Sequence, residues 1–240
     1  MVIYDEFGME ILTHYCVLAM ENIREMVTSM NRILFLLAAN LLLFQTVDAQ
    51  HPEKNEAGFT KLPLSALKTE GNWQQQANGE IYLEPREGEV GWKRYNHYLT
   101  LPEKYGNFIV DFEYKHGEGG NSGLYFRVSD MVDPTVHGFE IQILDSLGKA
   151  DEEMGHHDNG GIIKTKGADK NMSKKAGEWN RMTVKMKGNN LTVTLNGEVV
   201  QSLNLDRKRP KDKPLHKEGF ISIQDHGLPF WVRNIQVKKL

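Results

Sequence analysis

The residues best suited to chemistry lie on one short alternating segment, Gly138-Phe139-Glu140-Ile141-Gln142-Ile143-Leu144-Asp145. Read as a strand, it puts Glu140 and Gln142 on one face, about 7 Å apart and pointing the same way. If Arg127, from the segment Ser122 to Ser129, faces the same side on a neighbouring strand, a concave polar patch results. A simply solvated face would carry the same alternation, as one face of many antiparallel sheets does. Candidate histidines come from three places: His137, the run His156-His157-Asp158, and His226 after Gln224-Asp225. The middle run lies close to Asp151, Glu152 and Glu153, and His157 with Asp158 are candidate ligands for a divalent cation, Ca²⁺ or Mg²⁺ by donor type. No HExxH motif or paired Cys/His spacing accompanies them, so a solvated loop is the competing reading and no cofactor is assigned. Lys164, Lys166, Lys170, Lys174 and Lys175 read as solvation of the same stretch. No nucleophile elbow, P-loop or Rossmann glycine pattern occurs.

The elements that must position these groups are strands. Phe108, Val110, Phe112 and Tyr114 alternate with polar neighbours, as do Leu124, Phe126 and Val128 against Tyr125, Arg127 and Ser129. The same period of two runs through Arg181 to Lys187 and Asn190 to Leu195, and Asn196-Gly197 then supplies a hairpin turn into Glu198 to Leu203. Gly219 to Asp225 and Phe230 to Leu240 finish the chain, with weaker strands over Glu80 to Glu84 and Lys93 to Leu101. Many short strands, glycine-rich turns and no βαβ spacing predict one all-β domain, an antiparallel β-sandwich or barrel. Ser146 to Glu178 has no clear strand, and so long a loop in a compact domain is a candidate lid or site wall. Of the 240 residues 40% are hydrophobic, enough for a core, and the net charge of -3 is mixed along the chain. A nucleic-acid partner, which needs a clustered basic face, is not expected.

The first fifty residues read differently. Met30-Asn31-Arg32 precedes the apolar run Ile33 to Phe44, and Val47 and Ala49 stand at the -3 and -1 positions of a cleavage site before Gln50. That is the pattern of a secretory signal at 30–49, too short for a comfortable membrane span, with an uncleaved anchor as the alternative. Met30 then reads as the initiator and 1–29 as a non-native extension, which if made could form an amphipathic helix around Met9 to Met30. The single cysteine, Cys16, falls in that stretch, so the mature domain, 50–240, is expected to have no disulfide. The expectation is soluble export, to the periplasm or beyond, with no stable membrane partner once the signal is cleaved.

The motifs resemble a known family. Asn121-Ser122-Gly123-Leu124-Tyr125-Phe126-Arg127 and Gly138 to Asp145 are similar to the central blocks of the 3-keto-disaccharide hydrolase family. Gly177-Glu178-Trp179-Asn180, Leu195-Asn196-Gly197, Gly219 to Gly227 and Val232-Arg233-Asn234-Ile235 resemble its later blocks in order, from Gly58-Phe59 onward. The resemblance implies a concanavalin A-like jelly roll and cleavage of glycosides already oxidised to a ketone at sugar carbon 3. Where the family often has Gly-Ala-Ile-Tyr, this chain reads Gly161-Ile162-Ile163-Lys164, a lysine in place of a sugar-stacking aromatic.

A C3 ketone acidifies the C2 hydrogen, and the C1 oxygen is then placed to leave. Such a site needs a base, a stabiliser for the enolate and an acid for the leaving oxygen. On this resemblance Glu140 or a histidine is the base, Arg127 or a bound cation holds the C3 oxygen, and His226 or His157 protonates the leaving group. Tyr125, His137, Gln142, Gln224, Asp225 and Arg233 are the expected contacts to a small-molecule sugar. A lectin-like sugar-binding domain on the same architecture is the alternative, and an adhesion domain a more distant one. A nearby oxidoreductase would supply the keto sugar, which favours the periplasm.

Overall fold

In the computed structural model the chain divides into two compact units, Met1–Ala49 and Gln50–Leu240. The structure describes residues 20, 24, 26–28 and 54–240. In the first unit, Met20, Arg24, Met26, Val27 and Thr28 are helical and exposed. The signal-like run 30–49, Cys16 and the rest of the expected helix lie outside the described residues.

The second unit is built from two antiparallel sheets sharing one apolar core. The larger sheet contains β1 (Thr60–Lys61), β2 (Trp73–Gln75), β3 (Ile81–Leu83), β5 (Phe108–His116), β8 (Asn180–Lys187), β9 (Asn190–Leu195), β10 (Glu198–Asn204) and β12 (Phe230–Lys239). Its order is β10-β9-β8-β5-β12-β3-β2, with β1 also paired to β12. The smaller sheet has the order β4-β11-β6-β7, from β4 (Leu99–Thr100), β11 (Phe220–Ile223), β6 (Asn121–Val128) and β7 (Phe139–Leu144). The alternation decides what lies between the sheets. Phe108, Val110 and Phe112 of β5, and Met182, Val184 and Met186 of β8, meet Leu124, Phe126, Phe139, Ile141 and Ile143 from the smaller sheet. Each such side chain taken out of water contributes about 1.5–3 kcal/mol.

Bulges break the expected alternation in β6 and β12, besides a register shift between Val199 and Gln201 in β10. Arg127 has φ 55, and the pairing of β11 with β6 shifts between Phe220 and Ser222. Two residues of β6 therefore oppose one of β11, and Val128 leaves the face of Leu124 and Phe126 to join Tyr98 and Tyr125 on the outer face. In β12, Asn234 at φ 53 does the same, so Phe230 and Val232 are followed inward by Ile235 and Val237. The expected strand over Lys93 to Leu101 shrinks to β4, because Tyr95–His97 forms a 3₁₀ turn. β1 and β2, two and three residues long, gave no period to read.

The segment 146–178 is ordered. Ile163 and Gln142 donate their N–H groups to the carbonyls of Glu140 and Gly161, and Gly160 N–H donates back to Gln142 O. This lays residues 160–163 along the outer edge of β7, which would otherwise be an open strand edge.

Candidate active site

The outer face of the smaller sheet carries the site. In the β6–β7 ladder Tyr125 stands opposite Glu140 and Gly123 opposite Gln142. Glu140 reaches across the ladder: its Oε2 accepts the Tyr125 hydroxyl at 2.7 Å and its Oε1 accepts Gln224 Nε2 at 3.1 Å. Gly123 makes this possible, since a Cβ there would lie 2.3 Å from Glu140 Oε1. Gln224 continues β11 and is fixed through its backbone, donating to Gly123 O at 2.8 Å and accepting Ser122 Oγ at 2.8 Å.

Burial dominates the electrostatics. It pushes the Glu140 carboxyl up to about 7, against the hydrogen bonds of Tyr125 and Gln224 and the charge of Lys213 that favour the anion. Burial, with Glu140 beside it, also pushes the Tyr125 hydroxyl far up, so that it stays a donor.

Above these groups is a cavity of ≈ 330 Å³, within the usual range of about 300–1,000 Å³ for small-molecule sites. Glu140, Gln142, Tyr125, Gln224 and Asn121 line its sheet side. Gln142 Nε2 donates to Asn121 Oδ1 at 2.9 Å, so two lining side chains hold one another. The segment 146–178 supplies His157, Ile163 and Lys164, as its reading as a site wall anticipated. Thr135 and Val136 come from the short helix Pro134–His137, whose N-terminus Asp133 caps through Thr135 and Val136 N–H.

Trp92 and His226 complete the wall and are clamped to one another. Asp225 Oδ1 accepts Arg94 Nη2 and Gly227 N–H, both at 2.8 Å. Arg94 Nη1 donates to Gly91 O, and Gly91 N–H donates to His226 O. Gly227, at φ 74, is tight enough that a Cβ would lie 1.9 Å from Glu89 O. Burial, with the Arg94 charge, lowers the His226 pKa and so favours its neutral imidazole. Lys213 closes the cavity beside Glu140; burial and the charge of Lys164 lower its pKa, while Glu140 opposes them.

The structure thus brings six of the expected residues together: Glu140, Gln142, Tyr125, Gln224, His226 and His157. Others go elsewhere. Arg127 does not share the face of Glu140, because the bulge turns it away: its Nη2 donates to Gly188 O at 2.9 Å and its Nη1 to His216 O. Arg233 lies on the outer face of the larger sheet, bonded to Glu113 Oε2 at 2.9 Å and 4.0 Å from the Trp179 ring centroid. Asp225 stands behind the lining as part of the clamp. His137 ends the short helix outside the lining, although Thr135 and Val136 of that helix reach in. Asp158 and His157 part company, for Asp158 Oδ2 takes Lys149 Nζ and Gly155 N–H, each at 2.6 Å. Among the described residues no three His, Cys, Asp or Glu side chains are grouped to hold a metal ion. Sequence reasoning missed Trp92, Asn121 and Lys213, and it read Lys164 as solvation. Trp92 and Lys213 lie in segments without a period, so only contact across the fold identifies them.

The 3-keto-alpha-glucoside-1,2-lyase-like domain family matches residues 61–238. A 3-keto-disaccharide hydrolase of Bacteroides thetaiotaomicron is 28% identical over a match covering 59% of this chain and 61% of that protein. The chain therefore spans less than two thirds of that relative. A Parabacteroides distasonis protein, described by inference as a glycosyl hydrolase, has a crystal structure that aligns at a TM-score of 0.56 with 27% identity, covering 70% of this chain and 90% of that one. A Bacillus subtilis protein of unknown function with a galectin-like fold aligns at 0.52 with 15% identity over 75% and 94% of the two chains, a likeness of fold. The architecture is the antiparallel jelly-roll sandwich.

Proposed function

Because the chain belongs to the 3-keto-alpha-glucoside-1,2-lyase-like domain family, we propose that it cleaves glycosides already oxidised to a ketone at carbon 3. The observation that carries this reading is Glu140, a carboxyl held at about 7 on the sheet side of a small-molecule cavity. A carboxylate poised near the working pH suits removal of the C2 proton, which a C3 ketone makes acidic. Glu140 takes that proton as the C2–H bond breaks, and the electron pair moves into an enolate. The Asn121 amide and the Lys213 ammonium, in the role first read for Arg127, are the donors for the C3 oxygen. The enolate then expels the C1 oxygen, which takes a proton from His157 or from the minor protonated form of His226. Water adds its hydroxyl to C1 and gives its remaining proton to the histidine, while Glu140, its proton now exchanged with solvent, protonates C2, so the net change is hydrolysis. The usual glycosidase pair of carboxylates is not required for this route.

The test is to incubate the purified protein in D₂O with a 3-keto-disaccharide and, in parallel, with its unoxidised parent. Monosaccharide release from the keto form alone, with deuterium at C2, is the expected outcome. Binding of the keto form without release or exchange would leave the lectin-like alternative. Glu140→Gln is expected to bind the keto-disaccharide and release nothing.

A further inference from the structure

The proposed reaction uses one cation of the cavity, and the lining holds two. Lys164 and Lys213 share it, near enough for the charge of Lys164 to bear on Lys213. Lys213 is half-buried and tethered, its Nζ donating to Thr135 O at 2.7 Å and lying 5.4 Å from the Phe139 ring centroid. Lys164 is exposed at the mouth. Its backbone sits at φ 56, in the left-handed region that a residue with a Cβ enters at a cost. Ile163 N–H on Glu140 O and Lys164 N–H on His156 Nδ1 hold it there, and that conformation delivers the lysine to the wall. Lys164 has no ion-pair partner among the described residues, and Glu140 is the only acidic side chain they contribute to the lining. Two like charges at a partly dehydrated wall, balanced by at most one carboxylate, repel in a way that an incoming anion relieves.

We propose that the substrate carries an anionic group, a carboxylate or a sulfate, on the leaving half of the glycoside. The keto sugar sits on the sheet side, where Glu140 reaches C2, and the leaving half lies toward the mouth, where Lys164 meets the anion and the field of Lys213 reinforces it. This assignment rests on the keto-glycoside reading of the same cavity.

The experiment compares three 3-keto-glucosides whose leaving groups are glucose, glucuronic acid and glucose 6-sulfate, using the full chain. Both kcat/KM and calorimetric affinity are measured, the latter with Glu140→Gln to prevent turnover. At least one acidic ligand is expected to exceed the neutral one about tenfold, the yield of one charge-assisted contact. That advantage shrinks as salt is added. Lys164→Gln should erase the preference ratio and Lys164→Arg should keep it. Whichever acidic ligand leads identifies the anion. Equal affinity for all three ligands, or a preference that survives Lys164→Gln, overturns the assignment. If none is cleaved the keto-glycoside reading falls, and the calorimetric comparison still decides whether this cavity selects an anion.

Discussion

Glu140 is where the competing forces on a single group are most visible. Burial raises its pKa to about 7, and two hydrogen bonds with a neighbouring ammonium do not cancel that rise. As a base it must be ionised, so kcat/KM should climb with pH through about 7 and fall away in acid. A pH profile flat from about pH 5 to about pH 8 would remove Glu140 from that role. The same shift has a stability cost of known sign. The folded carboxyl binds its proton more tightly than an unfolded one at 4.5, so its favourable contribution is complete below that value and is lost as pH rises through about 7. Glu140→Gln should therefore gain on wild type between about pH 5 and about pH 8, by on the order of 2 kcal/mol in urea unfolding. Arg127 presents the opposite case, a buried cation serving two backbone carbonyls. Arg127→Met should cost about 2–3 kcal/mol of stability by orphaning them, while kcat/KM stays close to wild type. A collapse of kcat/KM in a folded Arg127→Met protein would restore it to the site.

At the scale of elements, the β6–β7 register does the positioning. It sets Tyr125 against Glu140 and leaves the space over Gly123 for the carboxylate. Gly123→Ala should push that carboxylate aside and cost about a hundredfold in kcat/KM, as misplacement by about an ångström does. Circular dichroism should show the fold kept; unchanged turnover would mean that Glu140 has slack. The Arg94–Asp225 pair does comparable work for the wall, joining the strand-end turn at His226 to the loop bearing Trp92. The bulges at Arg127 and Asn234 explain why period-two reading placed the strands well and some of their side chains badly. Each inserted residue turns everything after it to the other face.

At the scale of the molecule, residues 50–240 form a unit of their own without a cysteine. A chain beginning at Gln50 should unfold in one cooperative transition at the same temperature as the full chain, by circular dichroism melting. We propose that this is also the exported form; N-terminal sequencing of protein recovered from the exported fraction should then begin near Gln50, and an intact 1–29 would exclude it. The outer face of the larger sheet satisfies its charges locally, Asp111 with Arg181 and Glu113 with Arg233. The cavity lies instead on the smaller sheet, where three loops, a short helix and a turn rise around it.

The sequence by itself determined the antiparallel strands, the hairpin at Asn196-Gly197 and the pairing of Glu140 with Gln142 on one face, because each rests on spacing along a single strand. It also marked 146–178 as a candidate lid or site wall. Only the tertiary structure decided that Arg127 and Arg233 face away, that Asp158 is consumed by Lys149, and that Trp92, Lys164 and Lys213 line one cavity with Glu140. The physical reason is that bulges, loop paths and burial depend on contacts between residues far apart in the chain. Local periodicity carries none of that information, and the pKa of Glu140 likewise follows from its burial and its neighbours Tyr125, Lys213 and Gln224 rather than from the strand that bears it.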